Sequence, residues 1–154
     1  MGISGFKLDA QEGERLRFGE VEILVKATAQ TTGGAFSIFE ENSPVDTPLH
    51  VHEHEDELFF VIEGEHVFQV GDEAFEVGPG GLVFAPRGVP HSQRRVVDRT
   101  GRVLVMCSPA GLEGFFRELA EAQRNGSLGA EAYAGASSRY GITWLGEYGQ
   151  CAYA

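Results

Sequence analysis

The chain has 154 residues, of which 42% are apolar, a length and composition typical of one globular domain with its own hydrophobic core. Its 12 Lys and Arg residues against 23 Asp and Glu residues give a net charge of −11, which disfavours nucleic acid or an anionic membrane surface as a partner. The two cysteines, Cys107 and Cys151, form no CxxC pair, and neither a signal-peptide pattern nor an apolar run of membrane-spanning length is present, so we expect a soluble cytoplasmic protein.

The first two thirds of the sequence predict strands. Short runs rich in Val, Ile and Phe, separated by glycine, proline or acidic residues, are typical of an all-β sandwich or barrel. The predicted strands are residues 21–29, 34–41, 48–52, 57–63, 65–70, 73–77, 82–86, 90–97 and 102–108. The turns between them are marked by Gly64, Gly71-Asp72, residues 78–81 and Thr100-Gly101.

The spacing of apolar residues changes after Cys107. An i, i+3, i+4, i+7 pattern predicts an amphipathic helix that starts near Ser108-Pro109 and ends at Asn125-Gly126. The residues of this stripe are Leu112, Phe115, Phe116 and Leu119. A weaker pattern predicts a second helix over 127–139.

The tail of the chain, residues 140–149, is predicted to be extended, and its Trp144 is expected to cover the barrel rather than to bind a ligand. We expect a single domain over residues 1–154, with a barrel over about 20–108 and C-terminal helices and tail over about 109–154.

Two histidines in the predicted strand 48–52 point to a metal site. His50 and His52 are two positions apart, so both side chains face the same way. If they face inward, two imidazole rings need polar partners in an apolar interior, and a metal ion is one such partner. Glu57, at the start of the next strand, and His91, after PRGVP, are placed to complete the ligand set. Three imidazoles and one carboxylate suit a divalent ion of Mn, Fe, Co, Ni, Cu or Zn, with positions left open for water or substrate.

The turn that follows these histidines is rich in charge. His54 lies in this EHED segment, and we expect it either to face solvent or to lie beside the ligands at the edge of a substrate pocket. The neighbouring carboxylates Glu53, Glu55 and Asp56 are expected to form a solvated turn that adds negative potential near the cation.

Strand parity also predicts the walls of the pocket. Phe59 and Val61 share the face of Glu57, and Gln93 shares that of His91, so these three side chains are expected to line a substrate pocket. An apolar cavity with one cation suits an aromatic or similarly apolar small molecule. The opposite face of the strand, with Phe60 and Ile62, is equally apolar, so a second sheet or a partner chain is expected to cover it.

The predicted ligands fall in two spaced motifs. The pattern HxH, four residues, Glu, six residues, Gly fits His50, His52, Glu57 and Gly64, and the pattern Gly, five residues, PxGxxH fits Gly80, Pro86, Gly88 and His91. In these motifs the sequence resembles the cupin superfamily. The resemblance implies an all-β cupin barrel of the double-stranded β-helix or jelly-roll type, and metal ligation by the three histidines and Glu57. It also favours a homodimer formed through the barrel edges.

The segments TGGAFSIFE and SPAGLEGFFRELA extend the resemblance over about residues 16–125, to the quercetinase-like monocupins that include single-domain bacterial quercetin 2,4-dioxygenases. This resemblance implies a dioxygenase for a phenolic or enol substrate such as a flavonol, with Glu57 also taking the hydroxyl proton. Two alternatives stay open. One is a non-oxidative metal-dependent isomerase, cyclase, decarboxylase or lyase in which Glu57 or His54 moves a proton; the other is a small-molecule-binding module without catalysis.

Overall fold

The structure, a computed structural model, describes residues 2–42, 46–96 and 101–146. Its strands are β1 (Glu14–Phe18), β2 (Val21–Ala27), β3 (Ser37–Asn42), β4 (Thr47–His52), β5 (Asp56–Glu63), β6 (His66–Val70), β7 (Glu73–Val77), β8 (Leu82–Ala85), β9 (His91–Arg95), β10 (Arg102–Ser108) and β11 (Ile142–Trp144). Its helices are α1 (Ala29–Thr32), α2 (Glu113–Arg124) and α3 (Ala130–Tyr140). Residue 97 of the predicted strand 90–97, Thr100 of a predicted turn, the tail beyond residue 146 and Cys151 lie outside the described residues.

The described strands form two antiparallel sheets. One sheet has the order β1-β2-β3-β10-β5-β8, and the other has the order β11-β4-β9-β6-β7. Neighbours such as β3, β10 and β5 are distant in sequence, so the chain crosses repeatedly between the two layers, as in a jelly-roll barrel. The predicted all-β cupin fold with C-terminal helices is therefore confirmed.

The core lies between the inward faces of the two sheets and is closed at one end by α2. Alternate residues of β10 are buried, including Val103, Val105 and Cys107, which is the period of two expected for a strand with one buried face. Helix α2 packs against β1 and α3, and it buries Phe115 and Leu119 on its apolar stripe.

Four local differences from the sequence prediction have identifiable causes. Strand β2 ends at Ala27 because the hydroxyl of Thr28 accepts a hydrogen bond from the Thr31 amide and starts the short helix α1. Strand β1 was missed because only two of its five residues are buried, so its pattern is mostly polar. Helix α2 begins at Glu113 rather than near Ser108-Pro109, because residues 109–112 form a non-helical connection after β10. Both β1 and β11 belong to the sheets, although they lie outside the predicted barrel limits of 20–108.

The outward face of β5 and β8 carries large apolar side chains. Phe60 pairs with Leu82 and Leu58 pairs with Phe84 across these two strands. Phe60 is 37% exposed, Leu82 55% and Phe84 52%, so within the described part of the chain no second sheet covers them. We call these four residues the outer apolar face.

Among the described helices none is both long and apolar enough to cross a lipid bilayer.

Candidate metal centre

Four predicted ligands meet between the two sheets. Strand β4 provides His50 and His52, β9 provides His91, and β5 of the opposite sheet provides Glu57. Each residue offers a ligand atom within 4.8 Å of those of the others, and all four side chains are buried. His50 and His91 are register partners across β4 and β9, so the backbone pairing itself brings their rings together.

The outer nitrogen atoms of two histidines are held by the backbone. The Nδ1 atom of His50 lies 2.7 Å from the carbonyl oxygen of Pro48, and that of His91 lies 3.1 Å from the carbonyl oxygen of Val89. A carbonyl oxygen can only accept, so Nδ1 carries the proton in both rings and, in the neutral ring, Nε2 keeps a free lone pair. This arrangement orients a histidine for metal binding through Nε2.

Glu57 completes the donor set. Its Oε2 atom lies 2.9 Å from Nε2 of His91 and 3.4 Å from Nε2 of His52. A carboxylate oxygen and an unprotonated imidazole nitrogen repel each other at this distance unless a proton or a metal cation lies between them. The buried donors therefore fit a divalent transition metal ion, and nitrogen with carboxylate ligands does not select among such ions.

The charge state of the cluster follows from its burial and its own members. Burial, together with the neighbouring His91 and His52, lowers the pKa of His50 to about 3 and keeps this ring neutral. Burial would raise the pKa of Glu57, but the adjacent His52 and His91 outweigh it and lower that pKa to about 2. Burial disfavours protonated His52 as well, yet Glu57 and Glu55 raise its pKa overall. A neutral ring beside an ionised carboxylate is the protonation pattern of a metal ligand pair.

Glu55 differs from its predicted role. Its side chain is buried rather than solvated, and its Oε1 atom lies 3.7 Å from Nδ1 of His52. The other two acids of the turn stay outside: Glu53 is exposed, and Asp56 forms an ion pair of 3.0 Å with Arg87. Glu55 is thus placed behind His52 as the backbone carbonyls are placed behind the other two histidines.

A cavity of about 70 Å³ opens beside the cluster. Its lining residues are Glu41, Thr47, His50, His52, Glu57, Phe59, Gln93, Leu112, Phe115, Phe116, Ile142 and Trp144. The structure brings the predicted pocket residues Phe59 and Gln93 into this lining. It does not bring in His54, which is exposed, or Val61, which is fully buried in the core below the cavity.

Several lining residues were not predicted. Glu41 lies on β3 and Thr47 on β4, which are consecutive in sequence but belong to opposite sheets, and nothing in the local pattern marks either residue as part of a site. Trp144 does cover the barrel as predicted, but its ring centroid also lies 5.0 Å from that of His50, so it forms a wall of the cavity. The apolar stripe at the start of α2 predicted only that the helix packs against the core. The fold shows that three residues of this stripe, Leu112, Phe115 and Phe116, also line the cavity.

The comparisons with known proteins agree with this geometry. The family described as Cupin domain matches residues 39–107, which include both motifs and all four ligands. Quercetin 2,3-dioxygenase of Bacillus subtilis is 28% identical over 122 residues. This match covers 78% of the present chain but only 36% of the relative, so the chain spans about a third of that protein's length.

Solved structures show the same fold at low sequence identity. KdgF from Halomonas sp. superimposes with a TM-score of 0.62 at 16% identity, covering 72% of this chain and 99% of that one. An RmlC-like cupin from Shewanella frigidimarina gives a TM-score of 0.61 at 17% identity, covering 72% and 96%. Streptomyces Pac13, described as a nucleoside dehydratase, gives 0.57 at 15%, covering 72% and 88%. The fold, the two motifs and the family match together identify a cupin domain in this chain. The chain as a whole resembles the quercetinase-like monocupins.

Proposed function

We propose that this protein is a metal-dependent cupin dioxygenase that acts on a phenolic or enol substrate such as a flavonol. The observation that carries the proposal is the buried cluster of three histidines and Glu57, which borders a cavity with aromatic walls. The similarity to a quercetin 2,3-dioxygenase supports the choice of reaction and substrate class. The similarity to Pac13, described as a nucleoside dehydratase, is at 15% identity and extends to the fold alone, so it does not favour the non-oxidative alternatives.

Each group of residues in the site has a separate role in such a reaction. A divalent ion bound by the four ligands would supply a Lewis acid that lowers the pKa of a substrate hydroxyl. Glu57 is ionised and accepts the hydroxyl proton. Because its own pKa is low, this transfer is favourable only for a hydroxyl that has been made unusually acidic. Phe59, Phe115 and Trp144 hold an aromatic ring and limit the access of water.

Oxygen uptake tests the proposal directly. Metal content is measured first by elemental analysis, and oxygen consumption with quercetin is then followed for the metal-loaded wild type, His52→Ala, Glu57→Gln and the control His54→Ala. We expect uptake by the wild type and by the control, and a loss of at least about 100-fold in the other two variants. The proposal would be contradicted if quercetin were consumed as fast without oxygen as with it. Full activity of Glu57→Gln would contradict it as well.

We also propose that the protein forms a homodimer in the cytoplasm, with the outer apolar face covered by a second copy. The N-terminal arm, residues 2–13, has no regular structure and carries three further exposed apolar side chains. These are Ile3, Phe6 and Leu8. Lys26 fixes the base of this arm by donating hydrogen bonds to the carbonyl oxygens of Asp9, Ala10 and Glu12. One chain thus presents two uncovered apolar surfaces, and a two-fold symmetric pair of copies can cover both.

A further inference from the structure

One polar atom in the wall of the cavity lacks a hydrogen-bond partner. Gln93 lies in β9 two residues after His91, so both side chains share a face, and Gln93 is only 2% exposed. Its Oε1 atom is buried and has no hydrogen-bond partner among the described residues. A buried acceptor that stays unpaired is costly, and such an atom in a ligand cavity is a binding position for a donor.

The neighbouring side chains fix the orientation of this amide. Its Nε2 atom donates a hydrogen bond of 2.8 Å to Oε2 of Glu41, which also lines the cavity. The carboxyl oxygen that receives this bond carries no proton and can only accept, so the nitrogen of the amide faces Glu41 and the oxygen is left for another group. The backbone of Gln93 is held as well, because its amide donates to Oγ1 of Thr47 at 3.0 Å. These two hydrogen bonds fix the position of the Oε1 atom of Gln93 in the wall of the cavity.

The distance from the metal ligands sets the shape of what can bind. Residues two apart on a strand are separated by about 6–7 Å, so Gln93 lies roughly that far along β9 from the candidate metal ligand His91. Apolar and aromatic side chains, including Phe59 and Trp144, line the same cavity as Gln93. One or two aromatic rings with oxygen atoms on opposite edges span such a distance.

We propose that Gln93, held by Glu41, accepts a hydrogen bond from a second hydroxyl group of an aromatic substrate whose first hydroxyl binds at the metal. This inference rests on the proposed function, because it takes the metal cluster as the anchor of the first hydroxyl. It narrows the substrate class from phenols in general to aromatic molecules with at least two hydroxyl groups, and it makes Gln93 a specificity-determining residue.

Ligand binding without turnover tests this role. Anaerobic protein loaded with redox-inert Zn²⁺ is titrated by calorimetry with two matched pairs, quercetin against 3-hydroxyflavone and hydroquinone against phenol. The variants are Gln93→Leu and, as a matched control, Gln69→Leu. Gln69 lies on the adjacent strand β6, is half-buried, and donates to the carbonyl oxygen of Gly71 outside the cavity. Zinc content and thermal stability of each variant confirm that the fold and the metal site are retained.

We expect the wild type and Gln69→Leu to bind the more hydroxylated member of a pair about tenfold more tightly. Gln93→Leu should bind both members with similar affinity, while its affinity for the less hydroxylated member changes by less than about threefold. If flavonols fail to bind but hydroquinone is preferred over phenol through Gln93, the inference stands and the flavonol assignment falls. An unchanged preference in Gln93→Leu, or no binding of any of the four compounds, would overturn the inference.

Discussion

His50 and His91 face each other as register partners on β4 and β9, and their ring centroids are 4.4 Å apart. Burial, together with the neighbouring His91 and His52, lowers the pKa of His50 to about 3, so this ring stays neutral. The strand pairing therefore brings two imidazole rings together, and a backbone carbonyl oxygen orients each of them through its Nδ1 atom.

Removing one ligand should lower both metal affinity and stability. We expect His52→Ala to lose most of its bound metal, and with it the stabilisation that metal binding provides, about 4 kcal/mol when free metal exceeds the dissociation constant 1,000-fold. Thermal unfolding with and without added metal measures this effect. The exposed His54 is the matched control: His54→Ala should keep the metal-dependent rise in Tm, and a rise retained in His52→Ala would rule out the ligand role.

The single tryptophan should report metal binding. Trp144 lies against His50, and no other tryptophan contributes to the fluorescence of the chain. Paramagnetic or open-shell ions such as Cu²⁺ or Co²⁺ should quench its emission on stoichiometric addition, whereas Zn²⁺ should leave most of the intensity. Elemental analysis shows whether the protein has bound copper. If it has, and the Trp144 emission is unchanged, the short distance between Trp144 and the metal ligand His50 is contradicted.

Glu55 should strengthen the metal site through His52. Glu55→Gln keeps the size of the side chain but removes the charge near Nδ1 of His52, and we expect a loss of metal affinity of about 10–100-fold. Competition with a chelator measures the affinity. The exposed neighbour Glu53 provides the comparison, because Glu53→Gln removes the same charge without the contact. Equal losses in both variants would mean that only the overall charge of the turn matters.

The metal-free protein should lose stability as the pH rises towards 8, in part through Glu41. Burial raises the pKa of this carboxyl from its usual 4.5 to about 7; the hydrogen bond from Gln93 opposes the rise and the charge of Glu57 adds to it. Between these two pKa values the folded state binds more protons than the unfolded state, so the free energy of unfolding falls with rising pH. Glu41→Gln should remove a decrease of about 1–3 kcal/mol between pH 5 and pH 8.

Chemical denaturation at pH 5 and pH 8 measures the Glu41 effect, with the exposed Glu76→Gln as the control variant. The metal must be removed first, because a bound cation would stabilise the charged form of Glu41. A pH dependence that is the same in wild type and Glu41→Gln would assign the loss of stability to other groups.

If the protein is a homodimer through the outer apolar face, a charged substitution in that face should halve the mass of the particle in solution. Phe84→Glu places a charge among Leu58, Phe60 and Leu82, and we expect it to give a monomer in sedimentation or light scattering. Phe75→Glu is the control, because Phe75 is 39% exposed on β7 of the other sheet. A wild-type monomer, or a dimer retained in Phe84→Glu, would exclude this interface.

The sequence predicted the ligands better than their surroundings. His50 and His52 could be assigned to one face because strand parity is a local property, and the spaced motifs located Glu57 and His91. Glu55 was misplaced because parity fails in a turn, where the direction of each side chain depends on the backbone path. Glu41 was missed because its importance comes from Gln93, 52 positions away, and such a pair is visible only once β3 and β9 are placed in the fold.

The source of the ligands has a mechanical consequence. The three histidines come from the five-stranded sheet and Glu57 from the six-stranded sheet, so a bound ion would join the two layers as a non-covalent cross-link. Any sliding of one sheet over the other changes the length of the contact to Glu57 while the distances among the histidines stay fixed. In the proposed reaction, the docking of the two sheets would thus set whether Glu57 acts as a ligand or as a free base, and substitutions deep in the core would alter the chemistry without touching the site.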